Sequence, residues 1–259
     1  MFSPYLDGAL LIWLYMSMLF VVAQGLKDNS IADIGWGAGF VLVGWWTHFF
    51  FPHEFSWLPA LLATLWGLRL SLYLLLRKWR EGKEDWRYAR WREQWGRWAV
   101  LRAYFQVFLL QGVFMWIIAL PLMQSPAESH FHLFQIPGIA LWLFGFCWES
   151  VADWQLLRFK SKPENKGAVL REGLWKLSRH PNYFGEIVLW WGIFLVSLPY
   201  GSWWLLLLSP LTITWLLLRV SGIPLLEEKQ QKDPAYQKYV AETNALLPDF
   251  SKIDKETFF

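Results

Sequence analysis

Apolar residues in this chain gather into long unbroken runs instead of alternating with polar ones. Seven runs, at roughly 8–26, 31–51, 57–77, 104–124, 134–156, 183–199 and 202–220, approach the twenty or so residues that a helix needs to cross a bilayer. Pro199-Tyr200-Gly201 is a turn signal between the last two, so 183–220 is expected to form a helical hairpin. The pattern therefore predicts an all-α, polytopic membrane bundle of about seven transmembrane helices, folded as one domain over 1–259.

The polar positions between the runs give an orientation. Arg77, Lys78, Arg80, Lys83, Arg87, Arg90, Arg92, Arg97 and Arg102 crowd the stretch between the third and fourth runs, whereas 51–56 and 125–133 contain no Lys or Arg. Basic residues stay on the cytoplasmic side, so seven spans place the N-terminus outside and the C-terminus in the cytoplasm. In the same basic stretch Trp79, Trp86, Trp91, Trp95 and Trp98 alternate with arginines, as in a helix lying among lipid headgroups.

Composition agrees with a bilayer as solvent. The chain has 259 residues, is 55% hydrophobic and carries 21 Trp and 20 Phe, well beyond a typical soluble domain. A net charge of +3 is explained by basic loops and calls for no nucleic acid. The one cysteine, Cys147, lies in an apolar run and excludes an intrachain disulfide. The N-terminus has neither the basic start nor the cleavage site of a signal peptide, so the first run is expected to remain as a span.

Chemistry concentrates in two places. Glu149 and Asp153 are four residues apart in the fifth run, on one helix face, and intramembrane acids are costly enough to imply a polar cavity or buried partners. Arg158, Lys160, Lys162 and Lys166 follow, a cluster able to hold phosphates or simply to mark the cytoplasmic side. Further on, Ser178-Arg179-His180-Pro181-Asn182-Tyr183-Phe-Gly-Glu186 sets several titratable and hydrogen-bonding groups around a helix entrance, with proline suited to the first turn.

The Arg-His-Pro-Asn-Tyr-Phe-Gly-Glu run, the Gly173-Leu174-Trp175 before it, and a tail with Glu227-Glu228, Tyr236, Tyr239 and Pro248 resemble the steroid 5-alpha reductase-like membrane proteins. The C-terminal region is also similar to the isoprenylcysteine carboxyl methyltransferases. The likeness is strongest over 145–250 and extends less specifically through Asn29–Phe40 and Trp66–Arg69, as in an uncharacterised bacterial branch of the group.

That resemblance implies NADPH in a cytoplasm-facing cavity, with contacts at Asp153, Arg158, Arg179, Asn182, Tyr183 and Glu186, and Arg69 as a further candidate. His180 stands in the same helix entrance. Lys160, Lys162 and Lys166 are added by charge and position as phosphate partners. Reduction of a carbon–carbon double bond conjugated to a carbonyl, in a lipophilic substrate arriving from the bilayer, is the implied activity, and the bacterial inner membrane the implied location. The steroid-reducing members use a glutamate on the second helix and a tyrosine on the third. This chain has Asp33 near the first position and Trp66 near the second, and an indole cannot donate a phenolic proton. Asp33, kept protonated by apolar surroundings, and Tyr183 are the candidate acids. The alternative is an S-adenosylmethionine-dependent methyltransferase of the isoprenylcysteine type, but its cofactor lacks phosphates and needs no lysine cluster.

Other signals are weaker. Gly35-Trp-Gly37-Ala-Gly39 follows no strand, so it fits close helix packing better than a dinucleotide fingerprint. His48, His53, His130 and His132 lack an organised set of partner ligands, and no metal site is expected.

Overall fold

The computed structural model describes residues 3–126, 131–133, 135–254 and 257–258, and the regular elements among them are all helices. The long ones are α1 (Pro4–Leu26), α2 (Ile31–Phe50) and α3 (Trp57–Glu81), then the shorter α4 (Trp86–Trp95). A continuous rod follows, made of α5 (Ala99–Ala103), a π-helical stretch (Tyr104–Leu109) and α6 (Leu110–Ile118). Beyond it come α7 (Gln135–Ser161), α8 (Pro181–Ser197), α9 (Trp203–Leu206), α10 (Leu208–Trp215) with a π-helical end (Leu216–Val220), α11 (Ile223–Gln230) and α12 (Pro234–Glu242).

Helix occurs at each of the seven apolar runs. Among the described residues five segments are long and apolar enough to cross a membrane: Pro4–Leu26, Trp57–Arg80, Trp86–Ile118, Pro181–Tyr200 and Trp203–Glu228. The other two helices are less apolar for visible reasons. Gly35, Gly37, Gly39 and Gly44, together with Trp36, Trp45 and Trp46, dilute α2, and α7 carries Glu149, Asp153 and a charged last turn. The turn expected at 199–201 is present, as a short 3-10 segment from Leu198 to Tyr200 followed by Gly201.

The contacts of the chain divide into two compact units, 1–135 with 193–209 and 136–192 with 210–259. In the first, α2 and α3 meet backbone to backbone. A Cβ on Gly37 would lie 2.3 Å from the Gly67 carbonyl oxygen, and one on Gly67 would lie 2.4 Å from that of Gly37. Small residues let helices approach closely where no hydrophobic gradient drives them together, which is the role expected of this glycine run. Gly35 faces Leu19 and Tyr15 of α1, and Gly39 faces Met115 of α6, so the run serves three neighbours. A charged seam then fixes α4 against the α1–α2 turn. The Asn29 N–H donates to Glu84 Oε1 at 2.8 Å, the Asp85 N–H to Ser30 Oγ at 2.8 Å, and Lys78 pairs with Asp28.

In the second unit glycine again sets the spacing. A Cβ on Gly185 would lie 2.6 Å from the Glu149 nitrogen and 2.7 Å from the Gly145 oxygen, so α8 rests directly on α7. Trp148 anchors an aromatic cluster, with Phe144, Phe184 and Phe250 at ring separations of 5.4, 5.6 and 5.8 Å. The segment after α12 then returns onto the loop before α8. Arg179 N–H donates to the Asn244 carbonyl at 2.9 Å, His180 N–H to that of Ala245 at 3.1 Å, and Asp249 N–H to that of Leu177 at 2.9 Å.

Candidate functional site

At about 100° per residue, α7 presents two polar faces. Glu149, Asp153 and Lys160 fall within about 40° of one another, whereas Gln155 and Arg158 lie roughly 140–160° from Asp153. The first face is turned inward in its middle: Glu149 is 2% and Asp153 4% exposed. It meets the start of α8, where Pro181 occupies the first turn and the Phe184 N–H donates to the His180 carbonyl at 3.2 Å. Asn182 donates from Nδ2 to Asp153 Oδ1 at 3.3 Å, which fixes the orientation of its amide, since the flipped amide would set oxygen against oxygen. Its own Oδ1 is buried with no hydrogen-bond partner among the described residues. Buried acceptors are almost always satisfied, so this atom marks a place for a donor. Tyr183 stacks on His180 at 5.5 Å between ring centres, and Glu186, one turn on, is buried. The structure thus brings Asp153 and Asn182 together, with Tyr183 and Glu186 following in the first turns of α8.

Arg179 and His180 are turned to a different partner. The Arg179 guanidinium donates to Glu227 Oε1 from Nε at 2.9 Å and Nη2 at 2.8 Å, to the Val240 carbonyl at 3.3 Å, and to that of Thr243. His180 Nε2 lies 3.2 Å from the same carboxylate oxygen. Tyr236 stands beside them, its phenol pushed up to about 12 by burial and by the Glu227 charge. Tyr239 donates to the Ser178 carbonyl at 3.2 Å. Glu227, known from sequence only as part of the family likeness, is the centre of this cluster, which binds the tail to the loop before α8.

The opposite face of α7 lines a cleft of about 600 Å³ with Trp154, Gln155, Arg158, Lys162, Arg171 and Lys176 on its walls. Arg158 and Lys162 are thus brought together, but away from Asp153. Lys160 and Lys166 do not line the cleft; both are exposed.

Arg69 and Asp33 belong to the other unit. Asp33 does not lie in the apolar surroundings that the sequence led us to expect. Arg87 Nη2 donates to its Oδ2 at 2.7 Å and the Tyr88 hydroxyl to its Oδ1 at 2.6 Å, an arrangement built for a carboxylate. Gln111 Nε2 in turn donates to the Tyr88 oxygen at 3.2 Å, and Tyr88 is 2% exposed. Tyr88 escaped the sequence reading because its surroundings, Arg87 and the tryptophans of α4, look like interfacial anchors. Trp66 is fully buried. His48 Nδ1 is 2.8 Å from Ser56 Oγ, and His53 packs on Tyr200 at 4.8 Å. His130 lies outside the described residues, among which no three metal-ligating side chains converge.

No solved structure matches the chain. An uncharacterized protein of Schizosaccharomyces pombe is 27% identical over 224 residues, which cover 74% of this chain and 64% of that protein. A match over residues 19–243 to the family described as a protein of unknown function (DUF1295), a steroid 5-alpha reductase-like family, takes in both polar centres described above, and the chain belongs to that family.

Proposed function

We propose that this protein is an NADPH-dependent reductase of a carbon–carbon double bond conjugated to a carbonyl in a lipophilic substrate. The observation that carries the reading is the Asp153–Asn182 pair at the start of α8, with the Asn182 Oδ1 atom buried and lacking a donor among the described residues. Those residues fit a nicotinamide nucleotide. A carboxamide N–H₂ would supply a donor for Asn182 Oδ1, and Asp153 and Glu186 would accept from ribose hydroxyls. Lys160, on the same face of α7, is a partner for phosphate. NADPH, when bound, supplies hydride.

The chain's own residues supply the rest. Asn182 and Asp153 orient the nucleotide, and the α7–α8 contact at Gly185 keeps their side chains in register. Tyr183, the second candidate acid, is read as a nucleotide contact. With seven helices in the bilayer and the C-terminus in the cytoplasm, the α7–α8 corner would face the cellular NADPH pool.

The test is a titration of purified protein with NADPH and with S-adenosylmethionine, repeated on Asp153→Asn and Asn182→Leu. NADPH binding weakened roughly tenfold or more in both variants, about 1.4 kcal/mol each, supports the reading. Saturable binding of S-adenosylmethionine with none of NADPH would replace it with the methyltransferase alternative.

A further inference from the structure

The cleft on the far face of α7 takes no part in the reductase reading, yet it is the more fully built of the two polar regions. Its volume of about 600 Å³ is that of a small-molecule site. Its walls are held from several directions. Gln155 accepts the Leu174 N–H at 2.9 Å and donates to the Thr257 carbonyl at 2.9 Å, tying helix, loop and tail together. Gly173 turns there at φ +62, and any Cβ would lie 2.5 Å from the Gln155 amide. Asn165 donates back to the Phe159 carbonyl at 2.9 Å, closing the turn after α7.

Charge in the cleft is unbalanced: Arg158, Lys162, Arg171 and Lys176 line it against the carboxylates of Glu172 and Asp254. Lys176 is paired with Asp254, and Arg171 is 3.8 Å from Glu242. Arg158 and Lys162 have no carboxylate within ion-pair distance among the described residues. Arg158 lies 5.3 Å from the Trp154 ring centre, which leaves its guanidinium edge to bind an anion while the indole holds its face. Positive-inside retention would need only the charges, not a fixed concavity that gathers them.

We propose that this cleft binds the phosphate group of an anionic ligand, either the headgroup of an acidic phospholipid or a soluble phosphorylated compound, independently of the nicotinamide corner. A guanidinium paired with an ammonium is the combination that phosphate oxygens select. Basic pockets at the aqueous ends of membrane helices take lipid headgroups in the same way. The inference does not depend on the reductase reading, since neither Asp153 nor Asn182 lines the cleft.

The test uses delipidated full-length protein in neutral detergent, titrated calorimetrically with inorganic pyrophosphate, with dihexanoyl phosphatidic acid, and with dihexanoyl phosphatidylcholine as the zwitterionic control. The expected result is saturable, salt-sensitive binding of one phosphate probe that falls at least tenfold in Arg158→Gln/Lys162→Gln and in Lys162→Glu. Lys232→Ala, an exposed charge elsewhere, should bind as the wild type does. Tighter binding of phosphatidic acid identifies a lipid, and tighter binding of pyrophosphate a soluble ligand. Binding of neither probe, or binding unchanged in both variants, overturns the proposal. So does competitive displacement of the bound probe by NADPH, together with an equal loss of NADPH affinity in the double variant, because the cleft would then belong to the cofactor site.

Discussion

Replacing Arg179 by alanine separates the two roles available to it, ligand contact and tail clamp. The geometry favours the clamp. Its guanidinium is 9% exposed and engages Glu227 and the carbonyls of Val240 and Thr243. Hydrogen bonds to a charged group are worth about 1.5–3 kcal/mol, and each buried carbonyl left without a donor adds about 1 kcal/mol. Breaking a buried pair by removing one partner costs roughly 3–5 kcal/mol. The Glu227 side chain is 26% exposed and keeps His180, so water recovers part of the loss and the lower end applies. About 3 kcal/mol corresponds to a fall of roughly 6–12 °C in the midpoint of thermal unfolding for a chain of this size. Arg179→Ala/Glu227→Ala should cost less than the sum of its single variants, because no lone charge remains. Melting followed in detergent, with NADPH binding measured well below the transition, makes the comparison. An Arg179→Ala protein that melts within about 1 °C of the wild type but binds NADPH tenfold more weakly would refute the clamp and return Arg179 to the nucleotide.

Three further outcomes follow from the geometry. Gly185→Val should prevent proper seating of α8 on α7, since even a Cβ would be 2.6 Å from the Glu149 nitrogen; destabilisation of at least about 1–3 kcal/mol is expected, read as early aggregation on heating, and a wild-type melting curve would contradict it. Tyr88→Phe should cost about 1–3 kcal/mol of stability, because the Asp33 carboxylate loses a buried donor, and a wild-type melting curve would contradict it. His53, in the α2–α3 turn, is held down to about 4 by burial and by His48, so between pH 6.5 and 4 the unfolded chain takes up a proton that the folded one refuses. Stability from this group is complete above pH 6.5 and declines as pH falls through that window; the melting temperature of His53→Phe should decline less over the same range.

Helix positions were legible because length and apolarity act locally: a run of twenty apolar residues has few other fates. The interior of the runs was less so. The π-helical stretches at Tyr104–Leu109 and Leu216–Val220 follow from packing, and no feature of their residues announces them. At the site, Asp153 and Asn182 could be paired in advance because the family likeness includes both and the α7–α8 hairpin brings them together. Partners distant in sequence could not be read in this way. Glu227 meets Arg179 across 48 residues, and Tyr88 meets Asp33 across 55. Nothing in the sequence marks Gln155, between Asp153 and Arg158, yet its two backbone bonds fix the wall of the cleft. Burial of Asp153 beside exposure of Arg158 also shows that a helix can divide one stretch of sequence between two sites.

The return of residues 244–249 onto the loop before α8 has a consequence for biogenesis. The Arg179 and His180 N–H groups and the Ser178 hydroxyl find their acceptors at Asn244, Ala245 and Leu246, which are synthesised some 65 residues later. At about 5–20 residues per second that is a delay on the order of 3–13 s, after α8 has left the ribosome. During it the loop holds α7 through Leu174 and Trp175, but the donors of Ser178, Arg179 and His180 have no acceptors. Nascent chains arrested at residue 230 should therefore be cut by protease between 173 and 180, and chains extended past residue 249 should resist. Equal sensitivity at both lengths would mean that the loop orders itself without the tail. A membrane protein assembled this way keeps the loop before α8 unfinished until residues 244–249 arrive, so quality control acting on that loop would sense whether the segment after α12 has docked.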